Sequence, residues 1–373
     1  MTKERIAKLR AKMEEAKLDA FWVTAPAEAN DRQLSANRRY MSGFSGSLGN
    51  LLITRDDAFI AVDFRYWEQA EREAPDYTLF KVEGAWKDWY PKLLGESGVT
   101  GKRIGFQPAD VSVAQFQAMN KAIKELPKDD QPKLLSAPPF IEQLRSIKDA
   151  AEIAAVQEAV DLGDRAFVAV SERIEPGWTE KQAAWEIQKH IRENGAEDLS
   201  FETIVAGGPW GAMPHAQPRD YVLQKGDMVV IDMGVRHNGY CSDLTRTIFL
   251  GKPDDKFKEI YSIVLSAQLT AEELIEAGTG GEPAHMIAHN VIEEAGYGDN
   301  FGHGLGHGVG LQIHEMPRLA RTSKDTMEEG HVFTVEPGIY LPGWGGVRIE
   351  DQAVIENGKT RIMSHAPKLS FAA

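Results

Sequence analysis

Four carboxylates, Asp232, Asp243, Glu336 and Glu350, lie inside apolar, strand-like stretches, and no other feature limits the fold of this chain as much. Their settings are VVIDMG, YCSDLTRTI, FTVEPGIY and GVRIED; a glycine-rich fifth stretch, GHGLGHGVG, carries His307. A buried, unpaired carboxylate is very unfavourable, so a fold that buries four must bring them to something cationic. Two divalent metal ions answer that need, with one imidazole completing an oxygen and nitrogen ligand set, and the pattern points to two-metal hydrolytic chemistry.

The 373 residues suffice for two domains, and 42% hydrophobic with 26% charged content suits an ordinary globular enzyme. A net charge of -14 argues against a nucleic-acid partner, whose phosphates call for basic patches. No apolar run is long enough for a membrane span. The opening MTKERIAKLRAKMEEAKLDA alternates charged and apolar residues in helical rhythm instead of forming a signal-peptide core, so a cytoplasmic protein is expected. The lone Cys241 excludes an intrachain disulfide and reads as a small buried strand residue.

Residues 1–139 read as an α/β domain: an amphipathic helix near Lys3–Ala16, the strand LDAFWVTA, a turn GFSGSLG, the strands NLLIT and DAFIAVD, and the helix FRYWEQAEREA. Pro138-Pro139 blocks regular structure and sets the boundary; a second domain, 140–373, follows, with a helical pattern opening at Ser146–Asp149. That domain contains a faint repeat. Ile174-Glu175-Pro176-Gly177 returns as Ile275-Glu276-Ala277-Gly278, and Ile191, Glu193, Gly195 and Asp198 return at the same offset as Ile292, Glu294, Gly296 and Asp299. KGDMVVIDMG likewise resembles EGHVFTVEPG, setting Asp232 against Glu336. Two halves packed about a pseudo-two-fold axis would each bring a carboxylate pair to the shared seam.

In the first hairpin, Asn238-Gly239 suits a two-residue type I′ turn. The register then pairs Asp232 with Thr245 and Gly234 with Asp243, leaving the two aspartates as diagonal neighbours roughly 7–8 Å apart at the backbone. A longer turn around Leu341–Gly345 makes Glu336 and Glu350 candidates for direct opposition. Glycine at every second position of GHGLGHGVG predicts a strand bare on one face, with His303, Leu305, His307 and Val309 on the other. Five glycines rule out the helical zinc site that the spacing of His303 and His307 mimics. No following helix or lysine supports a phosphate-binding turn there. Ligands of this kind suit manganese first, with cobalt and zinc open.

Asp232, Asp243, His307, Glu336 and Glu350, in this order, resemble the ligand set of the pita-bread metallopeptidases, the group of aminopeptidase P, prolidase and methionine aminopeptidase, with creatinase as a metal-free relative. NRRYMSGFSGS and AVDFRY resemble the creatinase-type N-terminal domain, and SIKDAAEIAAV the usual junction. The resemblance implies an α+β fold: a smaller creatinase-type α/β domain followed by a pita-bread catalytic domain. It also implies roles. Asp243 and Glu350 would bridge the ions, Asp232 would chelate one, and His307 and Glu336 would bind the other, with Glu336 doubling as general base. His215, in VAGGPWGAMPHAQP, would face the substrate, and His314, in IHEMP, would stabilise the intermediate or help the leaving amine depart. Arg348 would orient carboxylates, the alternative being a surface cation.

His303 resembles the histidine of the proline-directed members and is counted with His215 at the substrate. Cleavage before proline needs a pocket for its ring. VGLQIHEMPR resembles the prolidase stretch whose closing arginine, here Arg318, binds a dipeptide's C-terminal carboxylate, the alternative being an exposed loop residue. The resemblance thus implies an Xaa-Pro dipeptidase, with an Xaa-Pro aminopeptidase acting on longer peptides as the alternative. A same-fold enzyme for a non-peptide small molecule and a binding module with a structural metal also stand. Trp210 and Trp344 depart from the family pattern and would either narrow the pocket or cap an apolar edge. EANDRQLSA, longer than usual, suggests a homodimer whose N-terminal region reaches the partner's site.

Overall fold

Continuous apolar runs in the N-terminal region, AFWV, NLLIT and AFIAV, resolve into the centre of a mixed six-stranded sheet. Its order from edge to edge is Thr78–Lys81, Ala58–Val62, Asn50–Thr54, Ala20–Val23, Arg103–Phe106 and Lys133–Ser136. The computed structural model describes residues 2–24 and 35–371, so most of EANDRQLSA, and with it the dimer expectation drawn from it, lies outside the described residues. The helix Thr2–Glu15 buries Ile6, Leu9 and Met13. An aromatic group joins Trp22 on the sheet to the helix Trp86–Glu96, with Trp22 and Tyr90 rings 5.2 Å apart and edge-on.

The chain divides into two compact units, Met1–Arg145 and Ser146–Ala373. The division falls one short helix beyond Pro139. Phe140 packs on Phe21 with ring centroids 5.9 Å apart, and Arg145 Nη1 donates to Asn37 Oδ1 at 2.8 Å. The segment after the two prolines therefore serves the first unit before the chain leaves it.

The second unit opens with the helix Ala150–Ser171, started by a capping box between Asp149 and Glu152. Its halves repeat in order. The helices Glu180–Glu193 and Gly281–Glu294 both have 14 residues. Left-handed glycines precede them (Gly177, φ 106°; Gly278, φ 92°) and follow them (Gly195, φ 95°; Gly296, φ 86°). Three strands, Leu244–Phe249, Met228–Met233 and Ile204–Gly207, form one sheet of the first half, and Tyr240–Cys241, Val235–His237 and Asp198–Leu199 form another. Five form a sheet of the second: Glu315–Leu319, Gly306–Gly308, Val332–Val335, Asp351–Glu356 and Lys359–Ile362. Phe257, Tyr261 and Val264 of the helix Asp255–Leu274 pack with Phe333, Val335 and Ile349.

Register positions the carboxylates. Asp232 pairs with Thr245, and Asn238 (φ 50°) and Gly239 (φ 82°) close the hairpin in the left-handed conformations that a type I′ turn requires. Gly338 pairs with Arg348 and Val335 with Asp351, so one common register sets Glu336 across from Glu350. The glycine-rich stretch differs from expectation: only Gly306–Gly308 is strand. Its pairing with Glu315–Leu319 shifts between His307 and Gly308. Bare glycines still serve as anticipated, because a Cβ on Gly306 would lie 2.0 Å from the Thr334 carbonyl oxygen and one on Gly308 2.1 Å from that of Met316. Among the described residues no helix is long and apolar enough to cross a membrane.

Candidate metal centre

Asp243, His307 and Glu350 each offer a ligand atom, and these atoms lie within 4.8 Å of one another. Glu336 joins them through His307, whose Nε2 is 3.4 Å from Glu336 Oε1 and 3.5 Å from Asp243 Oδ2. Asp232, on the neighbouring strand, is held by Arg348 Nη2 at 2.5 Å. Threonines brace the group: Thr245 Oγ1 donates to Glu350 Oε2 at 2.6 Å, and Thr334 Oγ1 donates to Glu336 Oε1 at 3.2 Å while accepting the His307 N–H at 3.1 Å. Gln352 Oε1 accepts the Asp243 backbone N–H at 3.0 Å.

The electrostatics are adverse without a cation. Burial, then Glu350, Asp232 and Glu336, hold the Asp243 carboxyl well above its usual range. Burial and the same kind of repulsion, from Glu336 and Asp232, raise Glu350 well above its own. Burial pushes Glu336 up to about 7 and raises Asp232, in both cases against the pull of Arg348. Burial, followed by His314, lowers His307 to about 4, so its ring is neutral near pH 7. His307 Nδ1 lies 3.1 Å from the Gly308 carbonyl and must donate to it. Its Nε2 then turns a lone pair toward two carboxylates, an arrangement that is repulsive while both are ionised unless a positive ion lies between them. Asp232 Oδ1 and Glu350 Oε1 are also buried with no hydrogen-bond donor among the described residues. Orphaned acceptors, an inward lone pair and an oxygen-rich donor set fit a divalent cation site.

Around this cluster runs a hydrogen-bonded chain. Arg348 Nη1 donates to Tyr340 Oη at 2.9 Å, and Tyr340 Oη lies 2.9 Å from His303 Nε2. His303 Nδ1 donates to the Gly304 carbonyl at 2.7 Å, so Nε2 accepts from the tyrosine. Burial lowers His303 to about 4. His215 and His314 are exposed. Burial, His215 and Arg318 together depress the His314 pKa, and its ring centroid is 4.3 Å from that of His307.

Residues 154–357 match the model of Metallopeptidase family M24, and residues 5–147 match the Creatinase/Prolidase N-terminal domain. The chain belongs to metallopeptidase family M24. It is 36% identical over 365 residues to the Xaa-Pro dipeptidase of Pyrococcus furiosus, covering 96% of this chain and 97% of that one. Among solved structures, the Xaa-Pro dipeptidase from Bacillus anthracis superposes with a TM-score of 0.91 at 37% identity, covering 99% of both chains. The X-Pro aminopeptidase from Thermotoga maritima gives 0.86 at 35% identity, covering 96% of this chain and 99% of that one. This M24 peptidase thus has the expected α+β, pita-bread architecture behind a creatinase-type domain.

In the M24 peptidase, three of the five anticipated ligands form the tight group; Glu336 meets it through His307, and Asp232 is engaged by Arg348. Arg348 is buried, which removes the surface-cation alternative. His303, expected at the substrate, has its ring nitrogens engaged by the Gly304 carbonyl and Tyr340 Oη. Arg318 is exposed and sits opposite His307 in the ladder. Trp344 packs against the core with Lys256 Nζ 4.8 Å from its ring centroid, and Trp210 packs on Ile204, Ala206 and Ala216. Cys241 is buried, with its Sγ 4.0 Å from the Leu311 carbonyl oxygen.

Sequence reading missed Tyr340, Thr245, Thr334 and Arg246. Arg246 is buried and donates to the Glu350 backbone carbonyl and, at 2.7 Å, to Asp351 Oδ1. The argument used for the carboxylates would have found it: an arginine in the apolar run LTRTI needs buried acceptors. Thr245 was visible as the register partner of Asp232, but Tyr340 looks like any strand tyrosine until its hydroxyl partners are known.

Proposed function

We propose that this chain hydrolyses the bond before proline, of Xaa-Pro dipeptides first, using two divalent ions of which manganese is the first candidate and cobalt or zinc the alternatives. The observation that carries the reading is the His307 Nε2 lone pair aimed at Asp243 and Glu336, in a chain similar throughout to proteins named Xaa-Pro dipeptidase. Asp243 and Glu350 would bridge the ions, Asp232 would hold one, and His307 and Glu336 the other. Ions so held polarise a carbonyl and lower the pKa of water.

The side chains divide the remaining work. Glu336, a ligand in this reading, would also serve as the general base that accepts and passes on a proton. Arg348 fixes Asp232, and Tyr340 and His303 fix Arg348. Exposed His215 and His314 face the peptide, His314 assisting at the leaving amine. The Arg318 backbone N–H donates to Asp325 Oδ2 at 2.7 Å, and its guanidinium, with no carboxylate partner among the described residues, would take a dipeptide's terminal carboxylate through its fork. A homodimer in the cytoplasm is part of this reading, as are peptide substrates rather than nucleic acid or membrane.

Similarity to a structure named X-Pro aminopeptidase favours a second reading, release of the first residue from longer peptides. Metal-reconstituted protein assayed with Ala-Pro, Met-Pro and Gly-Pro-Leu separates the two. Cleavage of the dipeptides alone is the expected result. Cleavage of the tripeptide supports the aminopeptidase, and no cleavage of any of the three sinks both.

A further inference from the structure

Residues 208–218 form a loop that carries Trp210 and His215, and a single carboxylate holds both its ends. Glu180 is the first residue of the helix Glu180–Glu193, and its side chain is 0% exposed. Its Oε1 accepts the Gly207 N–H at 2.9 Å, before the loop, and its Oε2 accepts the Arg219 N–H at 2.8 Å, after it. The Arg219 guanidinium completes a bidentate pair, Nε to Oε2 at 3.0 Å and Nη2 to Oε1 at 2.9 Å. The helix start does not need Glu180, because Thr179 and Gln182 already form its capping box. All four hydrogen bonds accepted by this buried carboxylate therefore come from the two residues that flank one loop.

The same arginine continues into the loop. Its Cζ lies 4.0 Å from the Trp210 ring centroid, within cation–π range. Trp210 Nε1 crosses the loop to donate to the Gln217 carbonyl at 3.2 Å. The loop backbone also rests on the strand Gly345–Arg348, where a Cβ on Gly346 would lie 2.1 Å from the Gly211 oxygen. Beside His215, the Pro214 carbonyl accepts from Arg348 Nη1 at 3.2 Å, and that guanidinium also holds Asp232.

We propose that Glu180 and Arg219 are positioning residues: they fix this loop in one shape, so that His215 meets the substrate as a preformed wall next to Asp232. The substrate rests on the peptidase reading; the loop geometry does not. A rigid loop has no ordering cost to meet when substrate arrives, so its loss should appear in substrate affinity rather than in the chemical step.

Arg219→Ser removes the fork and the stacked cation at a partly exposed position, where the unit should still fold. Arg219→Lys keeps the charge near Trp210 but loses the fork. For a dipeptide that the wild type cleaves, R219S should raise KM on the order of tenfold with kcat within about twofold, and R219K should recover part of the loss. Without any substrate, hydrogen exchange of the segment 207–219 should be faster in R219S. Unchanged KM in R219S, a fall in kcat alone, or unchanged exchange would each overturn the proposal. If the wild type cleaves no peptide, the peptidase reading fails on its own, and the exchange measurement still decides the loop.

Discussion

His307 and Glu336 face each other with no proton to share once Glu336 is ionised. The histidine is neutral with its Nδ1–H committed to Gly308, and Nε2 points at a carboxylate whose pKa burial has pushed up to about 7. In that ionised form the pair is poor as a hydrogen bond and well suited to a shared cation. Glu336→Gln keeps the volume and the Thr334 contact but removes both the charge and the basicity. Turnover should fall at least roughly 100-fold while the circular-dichroism spectrum is unchanged. Retention of more than about a tenth of wild-type turnover would contradict the assignment.

At the scale of elements, strand register and bare glycine backbone aim these side chains. Gly306→Ala would drive a Cβ to 2.0 Å from the Thr334 carbonyl, and backbone on both sides would have to give. Overpacking of this kind costs about 1–3 kcal/mol, and the shift displaces His307 directly. Urea unfolding should therefore show lost stability together with weaker metal affinity; a G306A protein unchanged in both would refute the close-approach argument. The hairpin joining Asp232 to Asp243 was legible in the sequence because Asn238-Gly239 admits few turns and the strand period then fixes the register. The repeat was legible through its glycines, which need left-handed backbone at matching places. What was hidden is what a linear pattern does not encode. The ladder irregularity at His307 shortens a strand that alternation alone would extend. The helix after Pro139 belongs with the first unit through Phe21 and Asn37, contacts distant in sequence. Tyr340 meets Arg348 through the fold-back of Gly338–Leu341 on Gly345–Arg348, a turn that the pattern of Tyr340 itself does not signal.

For the whole molecule, the centre makes stability depend on pH and metal together. In the metal-free protein Glu336 has a folded pKa of about 7 against an ordinary value of 4.5. Between these values the folded state binds more protons than the unfolded state, so this glutamate's contribution to stability is full below about pH 4.5 and is lost as pH rises through about 7. Asp243 and Glu350, also raised by burial and mutual repulsion, act in the same direction. His303, His307 and His331, depressed to about 4, act in the opposite one. Comparing the wild type with Glu336→Gln largely removes these shared terms. With chelator present, E336Q should melt at a higher temperature than the wild type at pH 8, and the gap should close towards pH 4.5. Manganese at about 100 times its Kd adds about 2.7 kcal/mol to a folded state that binds it, and E336Q lacks one ligand. With the metal present, the order at pH 8 should therefore reverse. Scanning calorimetry of both proteins, with chelator and with manganese at the two pH values, reads all four conditions. A chelated E336Q that melts below the wild type at pH 8 would mean that Glu336 stabilises the fold without any cation, and the repulsive metal centre described above would not exist.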